Sequence, residues 1–257
     1  MGNLAERRQA IAGFGFFAGF SVLPDWLAWE TFGEANGVAD LTSLRDRLRR
    51  VQLVGRVQAD PAGQIGCCLI AETHFFPPDQ WVEAPTDWHV RTQVGATYNL
   101  SSGEGLRVWQ TCVAQANTEP LAVGDRYGAP ALYLPRLGQG IFRVQVLDAY
   151  GRACAVTQEH SLPVLEAAHI HPFALGGPNL ITNGLALRSD IHRLFDRGYV
   201  TVDENHRFVV GQRLREEFDN GRSYYGLHGQ HLTLPADVRR HPDLDALAWH
   251  RQPAFVG

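Results

Sequence analysis

Two histidines and one asparagine, His169, Asn183 and His192, are spaced H-x13-N-x8-H in a stretch that alternates between apolar runs and turn-forming residues. Imidazole exchanges its proton near neutral pH and also ligates divalent metals, so such a pair could supply general acid–base or metal-assisted chemistry. Each residue has an ordinary structural use as well. A helical histidine such as His192 commonly just packs, and Asn183-Gly184 has the composition of a turn. The setting of the trio therefore decides between the two uses.

Two β-like runs, Cys154 to Thr157 and Val164 to Ile170, are separated by polar Gln158 to Ser161, which predicts a hairpin with His169 at its rim. A loop of turn formers follows, from Pro172 through Gly176-Gly177-Pro178, and then Asn183-Gly184 precedes Leu185-Ala186-Leu187. Ser189 or Asp190 can cap a helix containing His192 and Phe195, which Gly198 stops. The order is strand, strand, loop, helix, and it can bring His169, Asn183 and His192 together.

This order and context resemble the HNH nuclease family, whose fold is the ββα-metal unit. The resemblance is carried by Glu166-Ala-Ala-His-Ile-His-Pro172, Gly176-Gly177, Asn183-Gly-Leu-Ala-Leu187 and Ile191-His-Arg-Leu-Phe-Asp-Arg-Gly198, and covers about residues 141 to 212. It looks like the branch found among bacterial restriction endonucleases. Phe142-Arg143, Tyr150, Cys154-Ala-Val-Thr157, Leu227-His-Gly229, Leu234-Pro235 and Trp249-His250 are similar to the same proteins. Phosphodiester hydrolysis needs water activated near neutral pH and a Lewis acid for the developing charge, tasks suited to a histidine base and one divalent metal. The resemblance implies that His169 is the base, that His192 binds the metal, and that Asn183 either orients His169 or completes the metal shell. The implied cofactor is one divalent ion, Mg²⁺ or Mn²⁺, with no structural zinc. Many relatives place Asp or His just before the base, where this chain has Ala168. His171, Asp190, Asp196 or water would then fill the shell. Arg188, Arg193 and Arg197 flank the helix as candidate phosphate contacts, with ion pairs to Asp190 and Asp196 as the alternative.

Composition sets outer limits. The 257 residues are 45% apolar and 19% charged, enough for one large domain or two modest ones, and no apolar run approaches the length of a bilayer span. The formal charge of −4 provides no overall basic field, so any nucleic-acid site is local. All 23 cations are arginine, which excludes Schiff-base and Walker-type lysine chemistry. Cys67, Cys68, Cys112 and Cys154 include no C-x-x-C pair and predict neither a zinc knuckle nor a disulfide framework. Arg7-Arg8 followed by Ile11 to Phe20 lacks a small-x-small cleavage site and reads as a buried strand of a reducing, cytoplasmic protein.

The expected fold class is α+β, with a domain over residues 1–138 and an HNH domain with a C-terminal extension over 139–257. Helices are expected from Trp26 to Phe32, near Asp40 to Val51, from Glu104 to Gln115 and from Ile141 to Tyr150, with a strand from Ile65 to Phe76 and a short one around Leu132 to Leu134. Five of six tryptophans precede residue 140. They can form a core, or a pocket that stacks a flipped base, with Trp29, Trp81 and Trp88 as candidates. Gly13-Phe-Gly-Phe-Phe17, Leu27 to Gly33 and Ile65-Gly66 resemble the region ahead of HNH domains in restriction enzymes, implying a mixed, PUA-like or EVE-like β-barrel reader. The expected partner is double-stranded DNA, with modified bases as the target of the reader, cut by a homodimer or by copies paired transiently on the duplex, without membrane association. Two rival readings are a degenerate HNH module that binds nucleic acid without cutting it and an unspecific, toxin-like nuclease.

Overall fold

Glycine and phenylalanine interleave from residue 13 onward, and a segment so poor in helix formers takes extended backbone. In the computed structural model, which describes residues 10–55, 60, 63–88, 95–116, 138–219 and 221–255, strand β1 (Ala10–Ile11) leads into β2 (Gly13–Pro24). Helices α1 (Asp25–Phe32) and α2 (Leu41–Gly55) follow, then strands β3 (Gln64–Phe75) and β4 (Val82–Glu83) and helix α3 (Gly103–Gln115). The side chain of Asp40 accepts hydrogen bonds from the Ser43 amide and hydroxyl, which opens α2. Strand β2 pairs with β3, and β1 pairs antiparallel with β4.

These sheets have two strands each, and no barrel closes among the described residues. A barrel needs strands bonded along both edges, whereas β2 and β3 bond along one. The expected PUA-like or EVE-like barrel is therefore not shown by the described residues. Nor is the expected strand from Ile11 to Phe20 buried throughout: Phe17 and Phe20, on β2, are 66% and 60% exposed. The expected strand at Leu132 to Leu134 lies outside the described residues.

The chain divides into two compact units, 1–18 with 70–136 and 19–69 with 137–257. In the first unit Phe76, Val82 and Cys112 are buried under Ile11, Phe14, Val108 and Ala116. Arg107 ties α3 to β4 by pairing with Glu104 at 2.9 Å and donating to the Glu83 and Ala84 carbonyls. Hydrogen bonds from Arg107 and from the Thr86 amide hold the Glu104 carboxyl down at about 2.

The second unit continues with α4 (Gln139–Ala149), β5 (Leu165–His169), β6 (Gly184–Arg188), α5 (Ser189–Asp196), β7 (Val200–Val202), β8 (Phe208–Val210), α6 (Arg213–Phe218), α7 (Arg222–Tyr225) and α8 (Leu244–Trp249). Strands β5 and β6 pair antiparallel in a register that sets Leu165 against Arg188 and His169 against Gly184. The partner of the histidine strand is thus 184–188, not the expected Cys154 to Thr157. Those residues form a turn instead, closed by Cys154 and Glu159 backbone groups with Gln158 at positive φ, and Ala155 donates to the Ala186 carbonyl beside β6. Helix α5 starts from Arg188 without a side-chain cap, because Asp190 spends its carboxylate on the Arg188 guanidinium.

Residues Gly184 to Leu187 are all buried, since α4 and α5 both pack on β6. That fits an apolar run without alternation. Gly184 makes the packing possible: a Cβ there would overlap Val146 Cγ2 and press on the Phe142 ring. Gly184→Ala is expected to lower the unfolding free energy by about 1–3 kcal/mol, read by urea denaturation, because the added methyl pushes α4 off the strand. An unchanged midpoint would mean that α4 can slide freely.

Candidate active site

His169 ends β5 with its ring half-buried, stacked on Phe142 of α4 at 4.0 Å between centroids and 13° between planes. Its Nε2 lies 2.8 Å from the Asn179 Oδ1 in the loop that joins β5 to β6. Its Nδ1 has no hydrogen-bond partner among the described residues. Asn183, 2% exposed, closes that loop from within. Its Oδ1 accepts from the His171 amide at 2.8 Å, and its Nδ2 donates to the carbonyls of His171 and Pro178, each at 2.9 Å. Gly177 is required at the same place, because a Cβ would run into the His171 carbonyl.

Helix α5 buries Ile191 and Phe195 and turns His192 and Asp196 toward the hairpin's open side. The spacing of four residues puts those two on one face. His192 Nδ1 is 2.6 Å from the Glu166 Oε2 of β5, and His192 Nε2 is 3.3 Å from the Asp196 Oδ2. Burial works against charge on this imidazole, but hydrogen bonding and attraction from Asp196 and Glu166 outweigh it and raise its pKa above the ordinary value.

The structure thus brings His169, Asn183 and His192 into one hairpin, loop and helix, and gives each a different surrounding. Among the described residues Asn183 hydrogen-bonds to neither of the two imidazoles: its side-chain bonds go to loop backbone. Of the three residues weighed for the place left by Ala168, Asp190 is taken by Arg188 and the Tyr224 hydroxyl, and His171 packs its ring on Trp249 at 4.2 Å. Asp196 stands beside His192. Arg188 is paired, whereas Arg193 and Arg197 are exposed and form no salt bridge among the described residues. Of the tryptophans, Trp29 sits on α1, and Trp81 donates its indole N–H to the Phe76 carbonyl at 3.1 Å. Trp88, with Ile11, Pro85, Tyr98, Leu100 and Val108, lines a largely apolar cavity of about 330 Å³ in the first unit.

Three partners are not apparent in the sequence reading: Phe142 under His169, Asn179 on its Nε2, and Glu166 on His192. The His192 to Asp196 spacing was a legible signal for a paired donor set; the other contacts cross elements and leave no mark in spacing.

An implied divalent metal can be tested against these donors. Among the described residues no three His, Cys, Asp or Glu side chains are grouped to hold an ion. One imidazole nitrogen and one carboxylate do meet, at His192 Nε2 and Asp196, while Glu166 engages the other ring nitrogen as a carboxylate orients a ligating histidine. An oxygen-preferring cation that keeps several waters fits such an incomplete set.

Residues 154–203 match the model of a family described as HNH endonuclease. That segment spans β5, the Asn183 loop, β6, α5 and β7, and over it the chain is similar to the HNH endonucleases. Among solved structures, one described as a modification dependent TagI restriction endonuclease is similar at 22% identity and a TM-score of 0.32, covering 45% of this chain and 38% of that one. The chain therefore spans well under two thirds of that protein's length. No curated protein matches. Among the described residues no helix is long and apolar enough to cross a membrane.

Behind α5, His250 is buried and stacked on Phe195 at 3.7 Å. Its Nδ1 meets the Thr201 hydroxyl at 2.8 Å and its Nε2 the Phe195 carbonyl at 3.0 Å. Burial lowers its pKa, against the pull of the Phe195 carbonyl and Asp196, so the folded state favours the neutral ring. The unfolded chain takes up the proton first, and stability that is present above about pH 6.5 is lost as pH falls below it. The unfolding free-energy difference between the wild type and His250→Gln is expected to shrink from pH 7.5 to pH 5.5. A difference independent of pH would show that His250 contributes packing alone.

Proposed function

We propose that the chain is a metal-dependent endonuclease that hydrolyses phosphodiester bonds of double-stranded DNA, with His169 as general base. The observation that carries this reading is the pair of differently held imidazoles on one HNH hairpin and helix. His169 is braced from two sides and keeps one ring nitrogen unbonded, as a base that takes a proton from water requires. His192 and Asp196 are the residues that would hold the cation, with Glu166 fixing the His192 ring. When bound, Mg²⁺ or Mn²⁺ would supply Lewis acidity to the phosphate and leaving oxygen. Exposed Arg193 and Arg197 would neutralise flanking phosphates. Asn183 acts at a distance, by shaping the loop. Cutting both strands calls for two such sites, hence two copies on the duplex.

Supercoiled plasmid is expected to be cut in Mg²⁺ or Mn²⁺ and left intact in EDTA, and His169→Ala to slow cutting at least ~100-fold with an unchanged melting temperature. Cutting by that variant at the wild-type rate would remove His169 from the chemistry. If the wild type binds DNA but cuts none under any metal condition, the chain is a non-catalytic module, the reading that Ala168 favours.

The cavity beside Trp88 supports a finer reading, a modification-dependent restriction enzyme, since its size and aromatic wall suit an extruded base. Trp88→Ala is expected to abolish any preference for base-modified phage DNA while leaving cutting of unmodified DNA as it was. Equal losses on both substrates would sink the reader assignment.

A further inference from the structure

Stacking fixes the plane of a ring but not its rotation within that plane. With Phe142 parallel to it at 4.0 Å, the His169 imidazole could still flip by a half turn about its Cβ–Cγ bond and exchange the places of its ring atoms. It could also carry its single neutral-state proton on either nitrogen. The one polar contact that removes both freedoms is Nε2 to the Asn179 Oδ1 at 2.8 Å. We propose that Asn179 is the positioning residue of the site: its carbonyl oxygen accepts Nε2–H, holds His169 in that tautomer and ring orientation, and leaves the Nδ1 lone pair for the proton of water. This rests on His169 being the base.

The loop is built for the task. Gly176 takes a left-handed φ of 93°, Gly177 passes against the His171 carbonyl, and the Pro178 carbonyl is bonded by Asn183, so the residue immediately before Asn179 is pinned from the loop's interior. The partner is also a neutral amide, where His192 has carboxylates. A carboxylate would favour the charged imidazolium, which cannot accept a proton; an amide orients the ring without that bias.

The test uses the full-length, ¹⁵N-labelled protein in EDTA, with the His169 ring signals assigned by their loss in His169→Gln, alongside plasmid cleavage in Mg²⁺. The wild type is expected to show the Nε2–H tautomer at His169. Asn179→Ala should mix the tautomers and lower the cleavage rate roughly 10-fold or more without raising KM. Asn179→Asp should move the His169 titration midpoint, and with it the acid limb of the cleavage profile, up by about one pH unit. An Nδ1–H tautomer in the wild type, or an unaltered tautomer and midpoint in both variants, would overturn the proposal. A purely structural Asn179 would lower melting temperature and activity in both variants without moving the midpoint. If the wild type cuts no DNA while the ring signals behave as stated, the positioning stands and the nuclease reading fails.

Discussion

The carboxamide of Asn183 reaches three backbone groups at once, the His171 amide and the carbonyls of His171 and Pro178, from a position shut off from water. Backbone groups in a loop without strand partners must find bonds elsewhere, and leaving a buried one unmade costs about 1–3 kcal/mol. Asparagine supplies both acceptor and donors in one planar group, so it can serve an N–H and two C=O groups together. The rest of the hairpin depends on this. The loop it closes delivers Asn179 to His169, and the strand that begins just after it, β6, is the surface on which α4 and α5 both pack.

Two histidines of the same intrinsic chemistry leave this scaffold with different characters because of what faces them. Glu166 and Asp196 bracket His192, and the two carboxylates overcome the cost of burying its charge. His169 faces a phenyl ring and an amide. A third, His250, is walled in by Phe195 and satisfied as a neutral ring by one hydroxyl and one carbonyl. Neighbouring dipoles and charges, rather than residue type, assign the roles.

Much of the local structure was legible. The helices at α1, α2, α3 and α4 and the long β3 follow from apolar spacing and from proline and glycine punctuation, and the trio of polar residues is recognisable by order. What spacing could not give is pairing between elements. Cys154 to Thr157 has strand composition yet turns, because Gln158 adopts a left-handed conformation and the backbone donors close on one another. The Phe and Gly residues of β2 read as interior, but its sheet has two strands among the described residues, and Phe17 and Phe20 are exposed. Glu166 and Phe142 meet the histidines through packing of α5 and α4 on the hairpin, a tertiary fact with no sequence period. The side-chain bonds of Asn183 are hidden on the same ground, since they go to a loop whose path the sequence does not dictate.

Phe142 lies on α4, upstream of the segment that the HNH family description covers, yet its ring forms the floor beneath His169. The recognisable motif is consequently smaller than the working part. Moved into another protein by recombination, residues 154–203 would carry the polar residues and leave behind the surface that keeps one of them in place. The smallest heritable piece in which His169 keeps its floor must include α4, so shuffling of this module among genes is constrained by a helix outside the matched segment.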